Sequence, residues 1–293
     1  MVSFHPTETH SKDLFSILIP SWNNLPFLKT CVESIRKNSR YAHQLIIHVN
    51  EGVDGTLEWV KKQGLAYTYS AENVGICMAC NAAASLAYTD YILYLNDDMY
   101  VCPDWDYHLF CAIQEYGKKT FYFSGTMIER KQNDACYISA PHDYGDHVDT
   151  FREADLLRDV SKLSLSDSWG AIFPPSIMHK DLWTLIGGFS IEFSPGMYSD
   201  PDISRKLWAL GVRNFRSIGK CLVYHFMSKS VQRVTPNPGR EQFIDKWGIS
   251  NRIFRTAYLR LGEAIDAAEL TEPEPDFSMW MGKVISRLKV LWK

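Results

Sequence analysis

The residues of this chain most able to do chemistry are acidic and come in pairs. Asn96-Asp97-Asp98 follows the apolar run Tyr91-Ile-Leu-Tyr-Leu95, and Tyr198-Ser-Asp-Pro-Asp202 precedes an amphipathic stretch. Two adjacent carboxylates suit a hard divalent cation, because oxygen ligands hold Mg²⁺ or Mn²⁺ and leave positions for phosphate oxygens. The competing reading is a strand-to-loop turn, where Asn and Asp are common for conformational reasons. For the second pair, Asp and Pro are favoured at helix N-termini for capping and for the macrodipole. If the helix begins at Asp202, Asp200 lies too early to serve as its cap, and a carboxylate released from that duty can act as a general base. His225 closes Leu222-Val-Tyr-His225. It reads either as a packed strand residue or as a neutral-imidazole metal ligand beside the Asp cluster.

Other chemistries find less support. Cys77 and Cys80 form a C-x-x-C, but Cys102, Cys111, Cys136 and Cys221 stand alone and no second pair completes a zinc site. Seven cysteines without a framework read as reduced thiols of a cytosolic protein. There is no G-x-G-x-x-G after the first strand and no Walker A sequence. A bound nucleotide would therefore need a metal ion rather than a glycine loop at its phosphates, which raises the weight of Asp98.

Elements that would position these groups are visible in the first hundred residues. Phe15 to Pro20, Leu45 to Val49, Ala66 to Tyr69 and Tyr91 to Leu95 read as buried strands. Between them, Leu25 to Lys37, Thr56 to Gly64 and Ile76 to Tyr88 read as helices. Such alternation predicts an α/β fold, a mostly parallel sheet flanked by helices, with ligands bound beyond the carboxyl ends of the strands. The polar clusters Asn50–Asp54, Glu72–Asn73 and Asn96–Asp98 all follow strand ends, so they should gather on one edge. From Phe121 to Ser168 the pattern is mixed and polar. A helix is expected over Lys180 to Ile186 and another from Asp202, ended by Gly211. Val212 to Phe215 and Lys220 to His225 read as short strands.

The chain has 293 residues and a formal net charge of −3, with 46% hydrophobic and 22% charged residues. These are globular proportions, and the near-neutral balance predicts no nucleic-acid partner. The start of the chain has no basic segment followed by an apolar one, and no apolar run reaches roughly 20 residues, so a cytoplasmic location is expected. The tail from Phe277 carries Lys283, Arg287, Lys289 and Lys293 with no acidic residue, and places Trp280, Val284, Leu288 and Leu291 at helical spacing. It reads either as a basic amphipathic helix at the inner face of a membrane or as a helix docked on its own domain or on a second subunit.

In order, the motifs resemble family 2 glycosyltransferases of the GT-A fold. They are Phe15-Ser-Ile-Leu-Ile-Pro-Ser-Trp-Asn-Asn24, Asn50-Glu-Gly-Val-Asp-Gly-Thr56, Glu72-Asn-Val-Gly-Ile76 with Asn81, and Asn96-Asp-Asp98. Gly187-Gly-Phe189, Tyr198-Ser-Asp-Pro-Asp202 with Arg205, and His225 complete the set, which spans about residues 14 to 230. The resemblance implies a GT-A domain over 1–270, with a nucleotide-sugar half at about 14–105 and an acceptor half at about 106–235, followed by the tail 271–293. It implies transfer of a sugar from a nucleotide-diphospho-sugar, a UDP-sugar foremost, to the hydroxyl of a glycan or lipid-linked glycan, with inversion, in surface-polysaccharide synthesis. Pro20, Ser21, Asn23, Glu51, Asp54, Asn73 and Asp97 would bind the nucleotide. Asp98 and His225 would hold Mn²⁺ or Mg²⁺, Asp200 would be the base, and Trp169, Gly170 and Asp202 would meet donor sugar or acceptor. Two positions depart from the family pattern: Asn50-Glu51 where Asp is usual, and Asn96 as the first residue of the D-x-D-like triplet. The alternatives are a carbohydrate-binding protein on a decayed transferase fold and a sugar nucleotidyltransferase. The second would want a Gly-rich basic loop where Pro20-Ser-Trp-Asn-Asn24 stands.

Overall fold

The computed structural model describes residues 1–133, 137–227 and 235–274, together with Phe277, Trp280, Met281, Gly282, Val284 and Ser286. Its strands are β1 (Val2–His5), β2 (Asp13–Trp22), β3 (Ala42–Asn50), β4 (Ala66–Ser70), β5 (Tyr91–Tyr94), β6 (Met99–Val101), β7 (Phe121–Ile128), β8 (Ile138–Ser139), β9 (Ser168–Trp169), β10 (Ser176–His179) and β11 (Asn214–His225). The helices are α1 (Leu25–Asn38), α2 (Thr56–Lys62), α3 (Gly75–Ala84), α4 (Trp105–Tyr116), α5 (Glu153–Leu163), α6 (Lys180–Ile186), α7 (Ser199–Ala209), α8 (Gly239–Trp247) and the short α9 (Asn251–Ile253).

The strands form one sheet in the order β1-β4-β3-β2-β5-β10-β7-β11-β6. The neighbours β4, β3, β2 and β5 are parallel, as the strand–helix alternation predicts. Beyond β5 the sheet is mixed: β10 runs antiparallel to both β5 and β7, β7 and β11 are parallel, and β6 closes the edge antiparallel to β11. Alternate residues of the central strands feed opposite faces. Ile17 and Ile19 meet Leu28, Val32, Trp105 and Leu109 on the side of α1 and α4. Leu18 and Ile46 meet Cys77, Cys80, Leu182 and Leu207 on the side of α3, α6 and α7.

The helix expected from Asp202 begins three residues earlier, at Ser199, so both Asp200 and Asp202 lie in its first turn. The two short strands expected around Gly219 are one strand, β11, with a register shift against β7 between Ile218 and Leu222. A Cβ on Gly219 would sit 1.9 Å from the Leu165 carbonyl oxygen, so the glycine serves a close approach inside a strand rather than a break between two. The mixed stretch from Phe121 contains β7, a fully buried strand, and the helix α5. Cys31, Cys77, Cys80, Cys102 and Cys221 are free and buried, and burial pushes the Cys77 thiol up to about 12. The basic positions of the tail, Lys283, Arg287, Lys289 and Lys293, lie outside the described residues, and so does Cys136. Among the described residues no helix is long and apolar enough to cross a membrane.

Candidate active site

The carboxyl ends of the parallel strands open onto a cavity of about 630 Å³. Pro20 and Ser21 of β2, Asn50 of β3, Asn73 after β4 and Asn96, Asp97 and Asp98 after β5 line one side of it. The gathering expected from the strand-end clusters is therefore present in space. The facing wall comes from Pro195 to Pro201, with Asn251 and His225 completing the lining.

The facing wall is held by backbone contacts that explain two of the sequence motifs. Gly75 opens α3 with a φ of +75°, and a Cβ there would lie 3.0 Å from Pro195 Cα. The Ile76 amide donates to the Pro195 carbonyl at 3.1 Å, fixing that loop over the start of α3. Asn81 clamps the turn after α6 from both sides: its Nδ2 donates to the Phe189 carbonyl and its Oδ1 accepts from the Phe189 amide, each at 2.8 Å. Lys206 of α7 donates to the Gly188 carbonyl at 2.6 Å. The clamp on α3 is thus passed on to the helix that begins with Asp200.

Asp200 lines the cavity two residues after Tyr198, which holds a left-handed φ of +69°. No hydrogen bond or salt bridge of its carboxylate occurs among the described residues. Withdrawal from water raises its pKa to about 7, with no compensating charge beside it. A carboxylate poised there can accept a proton from a hydroxyl at neutral pH.

A second corner of the cavity is built by strand register. Tyr224 of β11 pairs with Ile128 of β7, and His225 pairs with Met99 of β6. Glu129, one residue past β7, and Asp98, one residue before β6, flank His225 at the end of β11. His225 Nδ1 lies 2.8 Å from Glu129 Oε1, and its Nε2 lies 3.6 Å from Asp98 Oδ2. Burial by itself would lower the imidazole pKa, but Asp98 and then Glu129 outweigh it and hold it at about 10. Asp98 and Glu129 are 5% and 4% exposed, so two nearly buried carboxylates flank one imidazole ring, and the nearly buried Asp97 adjoins Asp98 in the chain. That surplus of negative charge beside an open cavity is of a kind that a cation would offset. Among the described residues no three His, Cys, Asp or Glu side chains converge to hold a metal by themselves. The Asp98 carboxylate and the His225 Nε2 are nevertheless of the right chemistry to hold Mn²⁺ or Mg²⁺ if phosphate oxygens or waters supply the rest. Asn96 does not join them, because its Oδ1 accepts from the Tyr94 hydroxyl at 2.6 Å.

Pro20, Ser21, Asn73, Asp97, Asp98, Asp200 and His225 are thus brought together. Asn23, Glu51 and Asp54 do not line the cavity. Asn23 Nδ2 donates to Glu51 Oε2 at 2.8 Å, and the Val53 amide donates to Asn23 Oδ1 at 2.9 Å. Asp54 accepts from the Leu25 amide with one oxygen and from the amide and hydroxyl of Thr56 with the other. These three residues stitch the loop after β2 to the loop after β3. Trp169, Gly170 and Asp202 do not line the cavity. Trp169 is fully buried on β9, paired with Arg216 in the far half of β11, and its Nε1 donates to Asp266. Gly170 packs so closely on Leu261 that a Cβ would lie 2.5 Å from it. Asp202 turns inward and accepts from Trp247 Nε1 at 2.8 Å and Lys246 Nζ at 2.9 Å. The expectation for these three is therefore corrected: two pack in the core, and the third ties α7 to α8.

Sequence reasoning missed Tyr94, Phe173 and Asn251 in the lining, and Glu129 behind His225. Asn251 comes from beyond the last motif and carried no signal. Glu129 had one, as the first charged residue after the apolar run that forms β7.

Several known proteins resemble this chain. Residues 16–154 match the family model for glycosyl transferase family 2. The uncharacterized protein y4gI of Sinorhizobium fredii is 26% identical over 252 residues, covering 76% of this chain and 26% of the relative. Chondroitin synthase of Pasteurella multocida is 31% identical over 108 residues, covering 36% of this chain and 11% of that protein. The chain thus spans about a quarter or less of the length of these relatives. Among solved structures, S. aureus TarS 1-349 in complex with UDP-GlcNAc superposes with a TM-score of 0.55 at 15% identity, over 79% of this chain and 64% of that one. GalNAc-T7 with UDP, GalNAc and Mn²⁺ gives a TM-score of 0.57 at 14% identity, over 85% of this chain and 51% of that one. At such identities the likeness speaks for the fold, while the family match rests on residues that include β2 to β7 and the Asn96-Asp97-Asp98 triplet. Residues 16–154, a little under half of the chain, thus match the family 2 glycosyltransferases, on a fold similar to that of the GT-A structures.

Proposed function

We propose that this chain transfers a sugar from a nucleotide-diphospho-sugar to an acceptor hydroxyl with inversion, aided by a divalent cation. The observation that carries the reading is the pairing, in one cavity, of a carboxylate with a pKa near 7 and a separate Asp98–His225 corner. The acceptor oxygen attacks the anomeric carbon while the bond from that carbon to the phosphate oxygen breaks. The nucleoside diphosphate leaves with the electron pair, and the acceptor proton passes to Asp200. Asp98 and His225 would hold Mn²⁺ or Mg²⁺, which would supply neutralisation of the charge growing on the leaving diphosphate. Pro20, Ser21, Asn73 and Asp97 bind the nucleoside, and Asn23, Glu51 and Asp54 keep the two loops around it in place.

Neighbours that hold UDP-GlcNAc, or UDP, GalNAc and Mn²⁺, support a UDP-sugar and a cation, and the relative named chondroitin synthase supports a glycan acceptor. A role in surface-glycan synthesis from the inner face of a membrane follows the same reading. The stacked and exposed Phe277 and Trp280 support contact of the tail with that surface. A chain ending at Thr271 should then stay folded and lose binding to anionic liposomes. If it binds them as before, the tail has no such role.

The central test is a thermal-shift panel of UDP-, GDP-, dTDP- and CMP-sugars, each with Mn²⁺ and with EDTA. A ligand at 100 times its dissociation constant adds about 2.7 kcal/mol. A shift with one nucleotide that needs the cation supports the reading. The absence of a shift with every donor would favour a decayed, carbohydrate-binding transferase fold.

A further inference from the structure

We infer that Glu129 is a positioning residue for the cation corner: it holds the His225 ring so that Nε2 faces Asp98. This rests on the reading of Asp98 and His225 as cation ligands. Glu129 has no place in the motif set, yet it is 4% exposed and its Oε1 lies 2.8 Å from His225 Nδ1. Its main chain is pinned on both sides. The Glu129 amide donates to the Ser139 carbonyl at 3.0 Å, and its carbonyl accepts from the His142 amide at 2.8 Å. The main chain from which this carboxylate reaches the ring is therefore held in place.

The contact selects one of the two ring nitrogens. A carboxylate accepts only, so Nδ1 must carry a hydrogen toward Glu129, and Nε2 is the atom left to bind a cation. Nε2 lies 3.6 Å from Asp98 Oδ2, too long for a hydrogen bond. Neighbouring ligand atoms on one octahedral cation, with bonds of about 2.1 Å, stand ~3 Å apart, so the two atoms are close to that spacing. A carboxylate behind a metal-binding histidine fixes its tautomer and raises its basicity. β11 lies between β7 and β6, and Glu129 just after β7 and Asp98 just before β6 reach His225 from its two sides. A purely structural ion pair with Glu129 would not require the far nitrogen of the ring to face a second carboxylate at the cavity wall.

The test is Mn²⁺ affinity of the full chain, read from the free-ion paramagnetic resonance signal with Mn²⁺ alone, together with the melting temperature. Glu129→Ala should weaken Mn²⁺ binding by ~10- to 100-fold. Glu129→Gln, whose amide oxygen still accepts from Nδ1, should recover most of that loss. If the alanine variant unfolds, Glu129→Met fills the volume without an acceptor and takes its place. His225→Ala separates the two readings. If it weakens Mn²⁺ binding while Glu129→Ala and Glu129→Met do not, Glu129 is structural and the inference fails alone. If the native chain and His225→Ala bind Mn²⁺ equally, or neither binds, the cation reading falls and takes this inference with it.

Discussion

In the half of the sheet built from β4, β3, β2 and β5, the groups facing the cavity sit on loops that start where parallel strands end. In the half built from β10, β7, β11 and β6, they are placed by register between strands of mixed direction and by side-chain clamps. The first arrangement is generic: any parallel sheet puts polar loop residues at its carboxyl edge. The second is particular to this chain, because Asp200 depends on the Asn81–Phe189 clamp and the Lys206–Gly188 bond, and His225 depends on the β11 register. The difference suggests a division of labour, in which the parallel half mainly binds the donor and the mixed half mainly carries out transfer.

The sharpest way to break that division is Asp200→Asn. Transfer should fall by at least ~10²-fold, as for loss of a general base, while nucleotide-dependent thermal shifts stay as they were. Unchanged turnover would move the base elsewhere and dissolve the comparison. Asp98→Asn lies on the other side of it. Donor binding should lose its dependence on Mn²⁺, with affinity in the presence of the ion down by ~10-fold or more. A donor affinity indifferent to both ion and substitution would remove Asp98 from the ligand set.

Acidity gives a third handle. In the proposed mechanism the ionised form of Asp200 is the base, and its pKa is raised from 3.8 to about 7 by burial. The kcat/KM of transfer should therefore fall about tenfold per pH unit below that value, and Asp200→Asn should lose this limb. Stability should show the same group with the opposite preference. Between pH 3.8 and about 7 the folded state holds a proton that the unfolded state has released. This residue's contribution to stability is thus largest at low pH and declines as pH rises through that window. The difference in melting temperature between the native chain and Asp200→Asn, followed from pH 5 to 8, checks the sign. A difference that does not change with pH would place the Asp200 pKa at its ordinary value.

The same contrast explains what could be read from the sequence. The alternation of apolar runs and helical faces over residues 15 to 95 is visible because parallel strands buried on both faces are continuously apolar. β7 was not, although all eight of its residues are buried. Its centre, Ser124-Gly-Thr126, looks like a turn. In the structure a Cβ on Gly125 would lie 2.7 Å from both Cys221 Sγ and Pro175 Cγ, and the Thr126 hydroxyl donates to the Ile218 carbonyl. Close backbone approach calls for small and polar residues inside a core strand, and local pattern cannot tell that from a loop. That Asp98, Asp200 and His225 line one cavity was legible through their motif order. Trp169, Gly170 and Asp202 were misplaced because motif order carries no information about which way a side chain turns.

The smallest expected effect tests the clamp itself through two adjacent glycines. Gly187 and Gly188 both hold left-handed φ angles, +69° and +64°. A Cβ on Gly187 would meet nothing within 4 Å, whereas one on Gly188 would lie 2.3 Å from Asn81 Oδ1 and 2.9 Å from the Trp183 ring. Gly187→Ala should therefore cost only the left-handed strain, ~1 kcal/mol. Gly188→Ala should add an overpacking cost of ~1–3 kcal/mol, and at roughly 2–4 °C per kcal/mol the two melting temperatures should separate clearly. The more informative readout is kinetic. The Gly188 carbonyl anchors Lys206, and Lys206 sits on the helix that begins with Asp200. A shift of this turn should lower kcat in Gly188→Ala while nucleotide-dependent thermal shifts persist, and Gly187→Ala should leave both intact. If Gly188→Ala lowers stability without touching kcat, the clamp supports the fold alone, and the transfer half owes its geometry to the β11 register instead.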